Sequence, residues 1–267
     1  MNPLIELKAI SKIYTMGRNI QIQAIKNINL SVHAGEFVAI SGPSGSGKTT
    51  LLNLIGLIDV PTSGTIALDG KIISYNGLAQ LHRLRLNTIG FIFQSFNLIP
   101  VLSAYENVEY PLLLTDLSAS ERKKRVEQVL AEVGLSALAD HKPRELSGGQ
   151  CQRVAIARAL VNKPKIVLAD EPTANLDSKT AQDILQLMAK LNQDEQVTFI
   201  FSTHDPQVVK LARRIIQLRD GSIESITGAA TSSSSEQTAE VTLTEPQQTA
   251  SKGRQSWRKN RSTTRKN

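Results

Sequence analysis

The stretch Gly42-Pro43-Ser44-Gly45-Ser46-Gly47-Lys48-Thr49 has the residue types needed to hold a chain of phosphates. Two glycines bracket four residues, and a lysine and a hydroxyl residue follow at once. Glycines let successive backbone N–H groups turn inward around an anion-sized hollow. A helix starting behind the loop adds its partial positive charge. Lys48 is then spaced to reach the β- and γ-phosphates, and the Thr49 hydroxyl to ligate Mg2+. Thr50 completes the expected nucleotide-binding set.

Such a loop also needs a carboxylate near the metal. Asp170 ends the apolar run Ile166–Ala169 and is expected to hold hydrated Mg2+. Glu171 follows directly and is placed to polarise an attacking water. His204 lies three residues beyond the apolar run Thr198–Phe201, within reach of a γ-phosphate if the two strands share an edge. Gln94 follows the run Ile89–Phe93. Its neutral amide can accept from water or coordinate Mg2+, and can swing away without leaving a buried charge. By itself an Asp-Glu pair reads equally well as a solvated turn, and a lone histidine more often as structural. The phosphate loop tips both toward chemistry, and that chemistry is hydrolysis of a nucleoside triphosphate.

The elements that must position these groups are legible as patterns. Phe37–Ile40, Ile166–Ala169 and Thr198–Phe201 are short apolar runs and predict buried strands of a mostly parallel sheet. Leu51–Leu57, Arg122–Val133, Gln150–Leu160 and Lys179–Leu191 carry helical spacing. Ile20–Val32 and Thr65–Leu68 alternate as antiparallel strands do. The expected fold class is α/β. In an open parallel sheet ligands bind at the carboxyl ends of the strands, where Asp170, Glu171 and His204 all fall.

Composition sets the limits. The 267 residues include one cysteine, which excludes a disulfide framework and a multi-cysteine zinc site and fits a reducing compartment. No apolar run approaches the ~18 residues that span a bilayer, and the N-terminus has no signal-peptide core. The chain is not expected to be a channel or a secreted protein. Lys and Arg number 31 against 24 Asp and Glu, a net +7. Residues 228–267 hold seven basic and three acidic residues, so +4 of that charge, leaving +3 for residues 1–227. The globular part therefore suggests no nucleic-acid-binding surface. The last 40 residues, rich in Ser, Thr and Gln, have too few apolar side chains to offset their ordering entropy. They read as a disordered tail, solvated or, through the basic run Lys252–Lys266 with Trp257, drawn to anionic lipid.

Residues 4 to about 226 resemble the ATP-binding-cassette (ABC) ATPases. Leu146-Ser147-Gly148-Gly149-Gln150 is similar to the family's signature motif and stands between the phosphate loop and Asp170. Gln94 matches the Q-loop, Glu171 the catalytic glutamate, Asn175-Leu176-Asp177 the D-loop, and His204 the switch histidine. Tyr14 matches the aromatic that stacks on adenine. Leu54–Asp59 with Pro61–Gly64, Phe93–Pro100, Glu106–Glu109 and Ala169–Asp177 look like the lipoprotein-release and macrolide-export branch. Cys151 departs from the polar residue usual in that branch, and Ala174 from the Gly of many members.

The resemblance implies a P-loop core, an antiparallel β-subdomain and a helical subdomain over about 95–160, within a domain of residues 1–227. It implies ATP and Mg2+ as ligands, with Ser147 and Gly149 contacting the nucleotide held by another copy. It implies a head-to-tail homodimer (or paired ATPase subunits) closed by ATP, integral membrane permease subunits as partners, and a peripheral place on the cytoplasmic face of the inner membrane. An importer ATPase shares these motifs. A soluble ABC ATPase of translation or repair usually has two cassettes or a coiled-coil insertion, and this chain has neither.

Overall fold

Fully buried apolar runs form the centre of a six-stranded sheet in the computed structural model of the chain, which describes residues 2–17, 20–75 and 78–228. All of these belong to one compact unit, Met1–Ser232. The strands are β3 (Phe37–Ser41), β6 (Ile89–Ile92), β7 (Ile166–Asp170), β8 (Thr198–Thr203), β9 (Arg214–Arg219) and β10 (Ser222–Thr227). Their spatial order is β10-β9-β3-β8-β7-β6, parallel throughout except for the antiparallel β9/β10 pair. Successive residues feed two cores. Phe37, Val167, Phe199 and Phe201 point into one, while Val38, Leu168 and Ile200 point into the other. That period-two split explains why each run is apolar without interruption: both faces are covered.

The first core is closed by α5 (Gly148–Leu160) and α6 (Ser178–Glu195), the second by α1 (Lys48–Ile55) and a four-stranded antiparallel sheet. That sheet comprises β1 (Ile5–Met16), β2 (Ile20–Val32), β4 (Ser63–Leu68) and β5 (Lys71–Ile72), in the order β2-β1-β4-β5. Between β6 and α5 lie α3 (Ala104–Glu109) and α4 (Ala119–Glu132). Helices α3, α4 and α5 each begin with a reciprocal cap: Ser103 with Glu106, Ser118 with Glu121, and Ser147 with Gln150. Each cap satisfies two backbone donors that a bare helix start leaves unpaired. The remaining α-helices among the described residues are α2 (Leu78–Thr88) and α7 (Pro206–Leu211).

The α/β class, the parallel strands and the antiparallel N-terminal sheet stand as expected. Helix α1 differs at both ends from the expected Leu51–Leu57. It starts at Lys48, directly on the glycine loop, and stops at Ile55 because Leu57 turns left-handed at φ 55°. The Ser/Thr/Gln-rich tail from residue 229 lies outside the described residues.

Candidate active site

Register brings the chemistry to one edge. Ser41 pairs with Thr203, Asp170 with Ser202 and Ile92 with Ala169, so the loops leaving β3, β6, β7 and β8 emerge together at their carboxyl ends. A cleft of about 980 Å³ opens there. It is lined by Ser44, Gly45, Gly47, Lys48, Thr49 and Thr50 of the loop, with Glu171 and His204 opposite. That volume suits a nucleotide-sized ligand.

Two of the loop's glycines, Gly42 and Gly47, are required sterically. A Cβ on Gly42 would stand 2.1 Å from the Leu218 carbonyl oxygen, and one on Gly47, at φ 101°, 2.6 Å from that of Ala24. Lys48 is 7% exposed, and its ammonium donates to the carbonyls of Gly42 and Pro43 at 2.9 and 3.0 Å. Ser46 is buried, and its Oγ has no hydrogen-bond partner within the chain. An unpaired buried hydroxyl beside a cationic loop is the kind of group a bound phosphate would satisfy.

The residues also fit a magnesium ion. The Thr49 hydroxyl donates to Asp170 Oδ2 at 3.1 Å, which places the two expected oxygen donors side by side. No cluster of three acidic, His or Cys ligands exists among the described residues. None is needed, because Mg2+ is commonly held by one carboxylate, water and substrate phosphates. When bound, the ion would neutralise phosphate charge as it develops.

Glu171 leaves β7 at φ 45°, anchored by its N–H donating to Ser202 O at 2.8 Å. This left-handed turn swings its carboxylate away from Asp170 and toward His204. Glu171 Oε1 lies 2.9 Å from His204 Nδ1. An ionised carboxylate only accepts, so Nδ1 carries the proton in this pair and Nε2 remains for another partner. Asp205 holds the following turn, accepting from Gln207 N and from the Thr173 hydroxyl.

The structure therefore brings together the loop, Asp170, Glu171 and His204. Tyr14, Gln94, Ser147 and Gly149 are not among the residues that line the cleft, and Asp170 joins it through the Thr49 hydroxyl. The Tyr14 hydroxyl instead donates to Asp59. Gln94 is exposed, and its carbonyl accepts from Asn175 Nδ2 at 2.9 Å. The turn after it contains Phe96 and Asn97, both left-handed, and Arg158 of α5 donates to both of their carbonyls. Ser147 caps α5, and the neighbours of Gly148 are Leu176, Asn175 and Phe96 rather than the phosphate loop. Sequence reasoning missed Lys26 and Asp220, which also line the cleft. Lys26 N donates to Gly221 O across to the six-stranded sheet, a pairing with no signal in the residue pattern.

Cys151 lies near the N-terminus of α5, a place that can activate a thiol. Here the side chain is buried at 7% exposure, and burial pushes the thiol pKa up. Its Sγ donates to the Pro143 carbonyl at 3.4 Å. Desolvation of the thiolate outweighs the helix dipole here. At neutral pH the native chain should alkylate with iodoacetamide at least about tenfold more slowly than the chain in denaturant, since little thiolate forms and the sulfur is covered. Equal rates would show an open, activated thiol.

Comparison with known proteins agrees with this geometry. A family model described as ABC transporter matches residues 25–174. An uncharacterized ABC transporter ATP-binding protein, MJ0796 of Methanocaldococcus jannaschii, is 51% identical over 227 residues, covering 83% of this chain and 95% of its own. A macrolide export ATP-binding/permease protein MacB of Syntrophobacter fumaroxidans is 48% identical over 228 residues, covering 85% of this chain but only 32% of its own length. Among solved structures, a dimeric post-hydrolysis state of MJ0796 bound to ADP and Pi matches with a TM-score of 0.77 at 48% identity, covering 84% of this chain and 98% of that one.

Proposed function

The chain belongs to the ABC transporter family as an ATP-binding, ATP-hydrolysing cassette, and from that premise we propose that it energises export or extraction of a substrate through separate membrane subunits, two copies closing head to tail on ATP. The observation that carries the reading is the separation of two half-sites on one chain. The phosphate cleft faces Glu171 and His204, whereas the N-terminus of α5, with Ser147 and Gly149, opens beside Asn175 and Thr180. A second copy in C2 relation presents that helix N-terminus to the cleft, and its free N–H groups suit a phosphate.

In this reading Lys48 and the loop amides hold the β- and γ-phosphates and Tyr14 stacks on the base. Thr49, Asp170 and Gln94 would hold Mg2+. Glu171 accepts a proton from the attacking water, whose oxygen bonds to the γ-phosphorus as the bond to the ADP oxygen breaks. His204 steadies Glu171 through Nδ1 and offers Nε2 to the phosphate end. Loss of γ-phosphate contacts then loosens the pair.

A groove of about 550 Å³ supports a membrane partner. It runs between α2, β6 and α5, lined by Phe91, Phe93, Pro111 and Leu114 with Arg83 and Arg158 at its polar side. Leu114, one of its lining residues, is 71% exposed. No helix among the described residues is long and apolar enough to cross a membrane, so the spanning helices would come from the partner. Export rather than import rests on the MacB relatives, of whose length this chain spans about a third. Affinity capture of the full chain from solubilised membranes should recover an integral membrane subunit. Recovery of ribosomes or DNA instead would move the protein to the soluble class.

The tail prediction follows from charge alone. Seven cations and no acid lie in residues 252–267, and each is worth about 1 kcal/mol near an anionic surface. Deleting residues 228–267 should lower binding to phosphatidylserine vesicles, most at low salt, and leave ATPase activity of the isolated protein nearly unchanged. Equal vesicle binding by both forms would remove the lipid role.

A further inference from the structure

Base and phosphates of a bound nucleotide would rest on different parts of this fold. The phosphate loop leads into α1, whereas Tyr14 belongs to β1 of the antiparallel sheet. One tie joins them. The chain leaving α1 reverses at Leu57 and delivers Asp59, whose N–H donates to Asn53 O and whose Oδ1 accepts from Val60 N at 2.7 Å. The remaining valences of this carboxylate face β1. Oδ2 accepts from the Tyr14 hydroxyl at 2.7 Å, and Oδ1 from the Lys12 ammonium at 2.5 Å. Lys12 Nζ also donates to Val60 O and lies 4.9 Å from the centroid of the Tyr14 ring.

These contacts leave the ring little freedom. The hydroxyl bond fixes its tip, and the ammonium covers one of its faces. The Lys12 and Asp59 side chains are only 13% and 25% exposed, so the pair is shielded from the screening that weakens surface ion pairs. Burial raises the Asp59 carboxyl pKa, but Lys12, Tyr14 and the Val60 N–H together outweigh it and keep the group below the ordinary carboxylate range. It therefore stays an acceptor at neutral pH. The Tyr14 hydroxyl also meets that of Thr50, inside α1, which gives the ring a second link to the phosphate side.

We propose that Lys12 and Asp59 are positioning residues that lock the Tyr14 ring as a base platform at a set distance from the phosphate loop, with the ammonium on one face and the opposite face left for a purine. The proposal rests on the reading of Tyr14 as the base-stacking residue. A ring held in place loses no rotational freedom when a base arrives, so the tie acts on nucleotide affinity and not on the chemical step.

The test uses the full chain with Asp59→Asn, Lys12→Met, Tyr14→Phe and Tyr14→Ala, each assayed for ATP turnover and for inhibition by inorganic tripolyphosphate with Mg2+. Asp59→Asn, Lys12→Met and Tyr14→Phe should each raise KM for ATP by roughly two- to tenfold, the worth of one positioning hydrogen bond. The kcat and the inhibition constant of tripolyphosphate, which has no base, should stay at parent values. In a Tyr14→Ala background the Asp59 and Lys12 substitutions should add nothing. If Tyr14→Ala raises KM but the Asp59 and Lys12 variants do not, the tie is wrong and the stacking reading stands. If Tyr14→Ala leaves KM unchanged, the stacking reading fails and the tie with it. Equal weakening of ATP and tripolyphosphate would make the tie a structural support of the loop and overturn the proposal. Tyr14→Phe breaks the same bond without touching Asp59, so a poorly folded Asp59 variant does not stall the test.

Discussion

Replacing Glu171 with Gln is expected to lower ATP turnover by roughly 10²–10⁴-fold, the usual worth of a positioned general base, with nucleotide affinity near the parent value. The substitution removes basicity and little else. Gln keeps the shape, and its amide oxygen can still accept from His204 Nδ1, now 2.9 Å from Glu171 Oε1. The left-handed backbone at φ 45° and the N–H bond to Ser202 O do not depend on the side chain. In the proposed site, affinity comes from elsewhere, from Lys48 and the loop amides. With hydrolysis blocked, the γ-phosphate contacts between two copies persist, so the variant should collect as an ATP-bound dimer. Gel filtration with and without Mg·ATP, beside a phosphate-release assay, reads both effects. Hydrolysis at near the parent rate would assign the base to another group.

The parts of this site that were legible in the sequence are those whose chemistry is local. The phosphate loop is contiguous, and two of its glycines, Gly42 and Gly47, answer to a backbone that passes too close for a Cβ, as at Gly42 against Leu218 O. Asp170, Glu171 and His204 were legible because strand ends are readable from apolar runs, and a parallel sheet sends those ends to one edge. What stayed hidden depends on contacts between distant segments. Lys26 and Asp220 enter the cleft because β2 approaches the β9–β10 turn, where Lys26 N reaches Gly221 O. β1 was obscured by its bulges. Its register against β2 shifts three times and Ala9 turns left-handed, which breaks the alternation that marks a strand. Cys151 shows the limit of reading a helix start alone. A helix start favours a lowered thiol pKa, and tertiary burial raises it instead. The tie of Asp59 to Lys12 and Tyr14 crosses 45 or more residues and has no pattern that composition or period could reveal.

Lys48→Ala should separate binding from chemistry in the opposite way to Glu171→Gln. In the structure the ammonium is buried and donates to the carbonyls of Gly42 and Pro43, so it is already desolvated and aimed into the loop that phosphates would occupy. A phosphate oxygen arriving there exchanges neutral carbonyl partners for charged ones. Such a charge-assisted bond is worth about 1.5–3 kcal/mol, so its loss should weaken ATP affinity by roughly ten- to a hundredfold. The two carbonyls freed in the variant sit at the cleft and can turn to water, so the thermal midpoint should move by only a few degrees. In the proposed assembly ATP joins the two copies, so weak binding also removes the trap. No dimer should appear at ATP concentrations that saturate the Glu171→Gln protein, and the double variant should behave as Lys48→Ala does. Calorimetric titration of ATP gives the affinity, and gel filtration gives the assembly. Parental affinity in Lys48→Ala would mean that the lysine only ties the loop to itself, leaving the backbone amides to carry the phosphates. A trapped dimer in the double variant would mean that assembly does not wait on the nucleotide grip this lysine supplies.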